Sequence, residues 1–343
     1  MKAMVQHAHG GPEVLRFEEV DTPTIGPRDA LVSVRATCLN RLDVLHREGP
    51  PLLPGFHLPH IAGMDVAGEI VAVGEQVTQW SRGDRVVVNP ALQCGGCRFC
   101  RAGLDGFCPD TAVVGGNRAG GYAELCSVPA THIYRIPDDV DYEVAATVPT
   151  VYSTAWQGLV VCGRLTVGET VLIHAAASGV SVAAIQLAKR AGATVIATAG
   201  TQAKLEVAER LGADVMVNNR TEDVVGRVRA ATGGEGVDVV FDHVGPALFG
   251  ASLHSLRPQG RLVFCGTTTG TTAALDLPYA YHFGISLIGV APYHHAEFER
   301  MLAYYWGGSF EPVIDSRYPL AEAARAQQRL DCGDAAGKVV LLP

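Results

Sequence analysis

The sequence lacks the features that mark several large classes of protein. No apolar stretch follows Met1-Lys2-Ala3-Met4 that is long enough for a signal peptide or membrane helix, and the chain is expected to stay in the cytosol. Lys and Arg number 27 against 35 Asp and Glu, for a net charge of −8, and the basic residues are dispersed. Without a positive stripe to neutralise phosphates or anionic lipid, neither nucleic acid nor membrane is an expected partner; a small-molecule substrate is. No segment is repetitive or compositionally biased. Hydrophobic residues at 48% and charged residues at 18% describe an ordinary folded chain, and its 343 residues exceed what one core serves, so two domains are expected.

Four of the nine cysteines crowd into Cys94, Cys97, Cys100 and Cys108, spaced C-x2-C-x2-C-x7-C, with Gly95, Gly96 and Gly103 permitting tight turns. In a reducing compartment such crowding points to metal and not to disulfides, and four thiolates suit tetrahedral zinc. An iron–sulfur reading stays open on the first three spacings, although a ferredoxin run closes with a three-residue gap. Because protein sulfur fills every position, such a zinc is structural.

Residues 1 to about 126 read as strands and turns: Ala30 to Ala36 alternates, Val66 to Val73 is apolar, and Asp84 to Val88 follows a turn. From Thr170 onward short apolar runs alternate with helical stretches. Val171–His174, Thr194–Thr198, Val215–Val217, Val237–Asp242, Arg261–Cys265 and Ile285–Val290 are predicted strands; Val180–Ala191, Gln202–Leu211 and Glu222–Ala231 are predicted helices. That repetition predicts an α/β Rossmann domain with a doubly wound parallel sheet. A helix near Ala321–Leu330 and a strand Lys338–Leu342 close the chain and are expected to pack back on the first domain.

Between the first Rossmann strand and its helix stands Ala175-Ala176-Ala177-Ser178-Gly179-Val180-Ser181, a small-residue turn that lets a pyrophosphate approach backbone N–H groups. Ser178, Gly179 and Val180 are therefore candidate cofactor contacts. Val244, Cys265, Gly266 and Thr267, after later strands, are further ones. Where an NAD site places a carboxylate for the ribose, the chain has Thr198-Ala199-Gly200-Thr201 and then Lys204. Gly200, Thr201, Lys204 and Arg220 thus suit the 2′-phosphate of NADP(H); the alternative for Lys204 is a solvated helix residue.

The order of these parts resembles the medium-chain dehydrogenase/reductase superfamily across the whole chain. The residues that carry the resemblance are Gly63-Met64-Asp65-Val66-Ala67-Gly68, the cysteine lobe, Ala183-Ala184-Ile185-Gln186-Leu187-Ala188-Lys189 and Gly337-Lys338-Val339-Val340-Leu341. The resemblance implies a GroES-like β-rich catalytic domain over 1–126 and 291–343 with the cysteine lobe at 94–108, and a Rossmann NADP(H)-binding domain over 127–290. It also implies a homodimer or dimer-based tetramer, in keeping with the apolar last strand, which would otherwise expose a sheet edge.

In the zinc-dependent alcohol dehydrogenases of this superfamily three side chains hold a catalytic zinc; the matching positions here are Asn40, Met64 and Thr150, and the proton-relay positions fall on Leu42 and Leu45. Asn40-Arg41-Leu42-Asp43 instead resembles the N-x-x-D signature of the quinone-reductase branch, whose members usually lack the cysteine lobe. Asn40 is accordingly the candidate catalytic residue that orients a carbonyl or the nicotinamide, with Thr150 and Tyr152 as hydroxyl donors and Asp43 as an anchor of its own loop. An improvised zinc site from Cys38, His46, His57, His60 or Asp65 is a weaker alternative. His174, His243, His254, His294 and His295 are expected to be structural or surface residues. Three functions stay open: a zinc-free NADPH-dependent enone or quinone reductase, a zinc-type alcohol dehydrogenase, and a catalytically silent NADPH-binding protein.

Overall fold

Short runs of Val and Ile, buried on both faces, build the sheet of one half of the chain. Six parallel strands run in the order Val215–Asn218, Thr194–Ala199, Thr170–Ile173, Val237–Asp242, Leu256–Phe264 and Ser286–Gly289. Leu172, Ile196, Val217, Val240 and Leu262 from five of these strands form one core cluster. The helix Gly179–Arg190 buries the run Ser181 to Ala188 against that sheet, and Gln202–Arg210 and Val224–Ala231 follow the next two strands. The order reverses between Thr170–Ile173 and Val237–Asp242, which makes this a doubly wound Rossmann sheet with its crevice at the carboxyl ends of those two strands.

The rest of the chain is organised by the long strand Asp29–Cys38, whose side chains alternate between buried and partly exposed over its first half. Asp65–Val73 and Leu125–Pro129 pair antiparallel with it, Lys338–Leu342 joins at its Cys38 end, and Ile314–Pro319 lies parallel to that last strand. Arg85–Val88 and Ile133–Arg135 continue the sheet beyond Asp65–Val73. Ala30, Val32, Val34, Val66, Ile70, Val86, Val88 and Val128 pack together beneath it.

This computed structural model describes residues 1–343, which divide into two units: Met1–Thr150 with His294–Pro343, and Val151–Tyr293. The first unit therefore runs past the expected Cys126, because Leu125–Pro129 and Ile133–Arg135 are strands of its sheet and the short helix Tyr142–Ala146 ties to it through the Tyr142 hydroxyl, which donates to Glu69 at 2.8 Å. The expected closing helix and strand are Ala323–Asp331 and Lys338–Leu342, the latter as expected. A helix unforeseen in the sequence, Arg41–Glu48, begins directly after Asn40. No helix is long and apolar enough to cross a membrane.

Candidate active and cofactor sites

Three adjacent strand ends bring the candidate catalytic residues of the first unit together. Cys38 pairs with Asp65 in register, and Leu39 donates its N–H to Val339 O at 3.0 Å, which sets Lys338 beside Asn40. Gly337 makes this approach possible: its φ is +96°, and a Cβ there would lie 2.2 Å from the Val313 carbonyl oxygen.

Lys338 is 5% exposed and Asp65 fully buried, and Nζ stands 2.9 Å from the Asp65 carboxylate. The same ammonium donates to Leu39 O at 2.8 Å and to Asn40 Oδ1 at 2.7 Å, so its three hydrogens are all used. Asp65 in turn accepts from Asn40 Nδ2 at 2.9 Å, from Thr150 N at 2.9 Å and from Thr150 Oγ1 at 2.6 Å. These partners fix the Asn40 amide without ambiguity. Lys338 can only donate and the carboxylate can only accept, so Oδ1 faces Lys338 and Nδ2 faces Asp65. One Nδ2 hydrogen remains for another acceptor.

Asp43 lies beneath this group, 2% exposed. Its carboxylate accepts from Asn40 N at 2.7 Å, Tyr122 Oη at 3.2 Å and Gly63 N at 3.3 Å. Burial nevertheless pushes its carboxyl up to about 7, against the pull of those N–H groups and of Lys338. Asp43 is thus the anchor that fixes the start of Arg41–Glu48, as its sequence position suggested.

One of the three expected catalytic roles, that of Thr150, needs revision. The single hydroxyl hydrogen of Thr150 goes to Asp65, so Thr150 positions Asp65 and is not a donor to substrate. Tyr152 belongs to the second unit, is 3% exposed, and accepts a hydrogen bond from Gln186 Nε2 at 3.1 Å. The improvised zinc site does not form. Asp65 is saturated by its partners, His57 is an exposed residue near Gly55, His60 Nε2 bonds Gly115 O at 3.0 Å, and the His46 ring packs against Phe56. Burial also pushes the Cys38 thiol up, away from its ligating form. Lys338 is the member of this buried group that sequence reasoning missed.

The cysteine lobe assembles as its spacing predicts. The ligand atoms of Cys94, Cys97, Cys100 and Cys108 all lie within 4.8 Å of one another, the only such group of three or more His, Cys, Asp or Glu in the structure. Backbone N–H groups of Cys97 and Cys100 point at the sulfurs of Cys94 and Cys97, each at 3.4 Å. Next to the lobe, Gly106 N donates to His294 Nδ1 at 3.0 Å, tying it to the helix His295–Trp306. Four convergent thiols fit a closed, structural zinc.

In the second unit the expected cofactor residues collect at the carboxyl ends of the strands. Ser178 caps the helix Gly179–Arg190, its Oγ accepting from Ser181 N at 3.2 Å, and Gly179 and Val180 open that helix. Val244 N bonds the Asp242 carboxylate at 2.8 Å and Cys265 N bonds Asp242 O at 2.9 Å, which sets the two later loops side by side, with Gly266 and Thr267 following Cys265. At the second strand Asn219 N bonds Ala199 O at 3.1 Å and draws Arg220 over Gly200; a Cβ on Gly200 would sit 2.7 Å from Arg220 Nε. Thr201 directly precedes the helix Gln202–Arg210, and Lys204 is that helix's third residue, half-buried.

Two family descriptions match the two halves of this architecture: an alcohol dehydrogenase GroES-like domain over residues 26–138 and a zinc-binding dehydrogenase over residues 179–306. The chain is 32% identical to a quinone oxidoreductase of Pseudomonas aeruginosa, covering 98% of each. It belongs to the medium-chain dehydrogenase/reductase superfamily. It is also 31% identical to an acryloyl-coenzyme A reductase of Metallosphaera sedula over 99% of each chain. A solved NAD-dependent alcohol dehydrogenase shares 38% identity and superposes with a TM-score of 0.95 over 100% of both chains. This medium-chain enzyme is accordingly an oxidoreductase of mixed α/β fold, with a GroES-like domain and a Rossmann domain for a nicotinamide cofactor.

Proposed function

We propose that the enzyme reduces the C=C bond of an enone or quinone with NADPH, without a catalytic zinc, and keeps one structural zinc on its four-cysteine lobe. The observation that carries this reading is Asn40. It stands where zinc-dependent relatives have a metal ligand, and its amide is oriented by Lys338 and Asp65 with one hydrogen left to offer. The other two matching positions, Met64 and Thr150, supply a thioether and a hydroxyl already committed to Asp65, neither a normal zinc ligand. The donor set does not fit a catalytic zinc.

NADPH, when bound, supplies a hydride, which forms a new C–H bond at the β-carbon of the substrate. The π electrons shift to the carbonyl oxygen, and Asn40 Nδ2 is the donor that stabilises the resulting enolate oxygen. Lys338 and Asp65 hold the amide so that this donor needs no reorganisation. A proton from water completes the reduction, at the α-carbon of an enone to leave the saturated ketone, or at oxygen of a quinone to leave the hydroquinone. The chemistry accords with relatives named for quinone and acryloyl substrates. Zinc-type alcohol oxidation would need an electrophile that these side chains do not build.

Preference for NADPH over NADH is supported by the Gly200 loop, which has no carboxylate to repel a 2′-phosphate and has Arg220 lying over it. One charge-assisted contact is worth about 1.5–3 kcal/mol, or roughly ten- to a hundredfold in affinity. The test is a panel of enones, quinones, aldehydes and alcohols run with both cofactors. Turnover of the activated alkenes with NADPH is expected, at least about tenfold above NADH, and Gly200→Asp reverses the cofactor preference by engaging Arg220. Turnover confined to aldehydes and alcohols would sink the reading.

We also read the enzyme as a homodimer or dimer-based tetramer in the cytosol. The last strand Ser286–Gly289 ends its sheet with Leu287 39% exposed, an edge that pairing with a second copy would cover. A monomeric mass by light scattering at micromolar concentration would count against it.

A further inference from the structure

The cofactor turn of this enzyme differs from a plain small-residue turn by an imidazole placed against it. Because Val237–Asp242 is the neighbour of Thr170–Ile173 in the sheet, His243, the next residue, lies beside the turn that follows the latter strand. His243 Nε2 is 2.6 Å from Ser181 Oγ and 3.3 Å from Ser178 Oγ. The direction of these bonds follows from where each hydrogen goes. Ser181 Oγ spends its hydrogen on His174 O at 2.6 Å, so toward His243 it accepts, and Nε2 carries the proton. Ser178 Oγ accepts from Ser181 N and donates to Ser181 Oγ at 3.0 Å, so Ser181 Oγ accepts from both Ser178 and His243. His243, Ser181 and Ser178 thus form one hydrogen-bonded group at the N-terminus of the helix Gly179–Arg190.

The neighbouring groups leave His243 as the one titrating member. Ser252 Oγ donates to the Asp242 carboxylate at 2.7 Å, so His174 Nε2 donates to Ser252 at 2.9 Å, and Thr198 Oγ1 donates to His174 Nδ1 at 2.9 Å. His174 is thereby locked neutral, and burial holds it at about 4. Asp242 is anchored by Val244 N and Gly245 N. The charged and titratable groups facing His243 are thus the Asp242 carboxylate, which favours its protonation, and neutral His174; burial outweighs them and keeps His243 below the usual histidine range. From the loop after Leu256–Phe264, the Thr268 hydroxyl meets only the His243 carbonyl oxygen, at 3.4 Å.

We propose that His243, through Ser181 and Ser178, forms part of the pyrophosphate site and takes up a proton when the dinucleotide binds. The inference rests on the turn at Ser178 being the nucleotide site. An anionic diphosphate beside the turn favours the imidazolium, so binding raises the affinity of His243 for a proton. By linkage, cofactor affinity then increases as pH falls through the cofactor-bound pKa and levels off below that of the free enzyme. The coupling concerns binding and is independent of the substrate reduced.

The test compares the dissociation constants of NADPH for wild type and His243→Gln from pH 8 to pH 6, by cofactor fluorescence. Titration of the 2′-phosphate itself affects both proteins alike and cancels in their ratio. The wild-type advantage is expected to grow about three- to tenfold over this range. A second measurement needs only wild type: calorimetry of NADH binding at pH 7 in buffers of different ionisation enthalpy, since NADH carries no 2′-phosphate. Net uptake of a fraction of one proton supports the proposal. A ratio that stays constant with pH, or binding without proton uptake, overturns it while leaving the cofactor site intact. Failure of both cofactors to bind at any pH overturns the site and the proposal together.

Discussion

Asn40→Leu is expected to lower kcat/KM for an enone by about 10²- to 10³-fold, the usual effect of removing one preorganised donor to a developing oxyanion. Leucine matches asparagine closely in shape and has no polar atom, so what is lost is the Nδ2 hydrogen that Lys338 and Asp65 hold in place. The loss should fall mainly on kcat, because the enolate oxygen carries full charge only after hydride transfer and the ground-state carbonyl binds the amide weakly. Leucine also leaves Lys338 one acceptor short, which costs about 1–3 kcal/mol of stability, so steady-state rates must be normalised to folded protein. An unchanged kcat for Asn40→Leu would remove Asn40 from the chemistry and reduce it to a residue that packs beside Asp65.

Lys338→Met is expected to destabilise the fold by about 3–5 kcal/mol, since it strands the Asp65 carboxylate, which is fully buried, without its counter-charge. Methionine keeps most of the length of the lysine stem, so little of the loss comes from an empty cavity. The decisive control is the double variant Lys338→Met with Asp65→Asn. It removes the stranded charge while keeping hydrogen-bonding atoms near Thr150 and Asn40, and it should recover more than half of the lost stability in urea unfolding. Equal stability of the single and double variants would mean that the pair contributes through packing alone. In activity, Lys338→Met should lower kcat even where the protein is folded, because Asn40 loses the donor-only partner that sets which way its amide faces.

The parts of this enzyme that could be read from the sequence are those whose partners are close along the chain. The four cysteines span fifteen positions, from Cys94 to Cys108, and their spacing alone implied the cluster that the structure contains. The Ser178 turn lies between one strand and its helix, and the strand Val237–Asp242 and its neighbours were marked by short, mainly apolar runs. The core of the candidate active site was hidden for the opposite reason. Lys338 meets Asp65 and Asn40 across 273 and 298 residues, and a lysine opening a terminal strand resembles any solvated strand end. His243 was read only as a structural or surface histidine for the same reason, its serine partners lying 62 and 65 residues earlier.

Residues 127–150 were assigned to the wrong side of the domain boundary because their two strands are short and their pairing partners, Asp29–Cys38 and Arg85–Val88, are remote in sequence. Thr150 illustrates a finer limit. Its residue type suggested a hydroxyl donor, but a hydroxyl has one hydrogen, and only the position of Asp65 reveals where that hydrogen goes.

The central claim, hydride transfer to an activated alkene without a catalytic metal, is tested most directly by counting zinc in enzyme of full enone-reducing activity. The account predicts one zinc per chain, held by Cys94, Cys97, Cys100 and Cys108, with activity that added zinc does not raise. Cys97→Ser should remove that zinc and lower thermal stability, while the chains that remain folded keep most of their turnover. Two zinc ions per active chain, with turnover rising in proportion to the second, would contradict it.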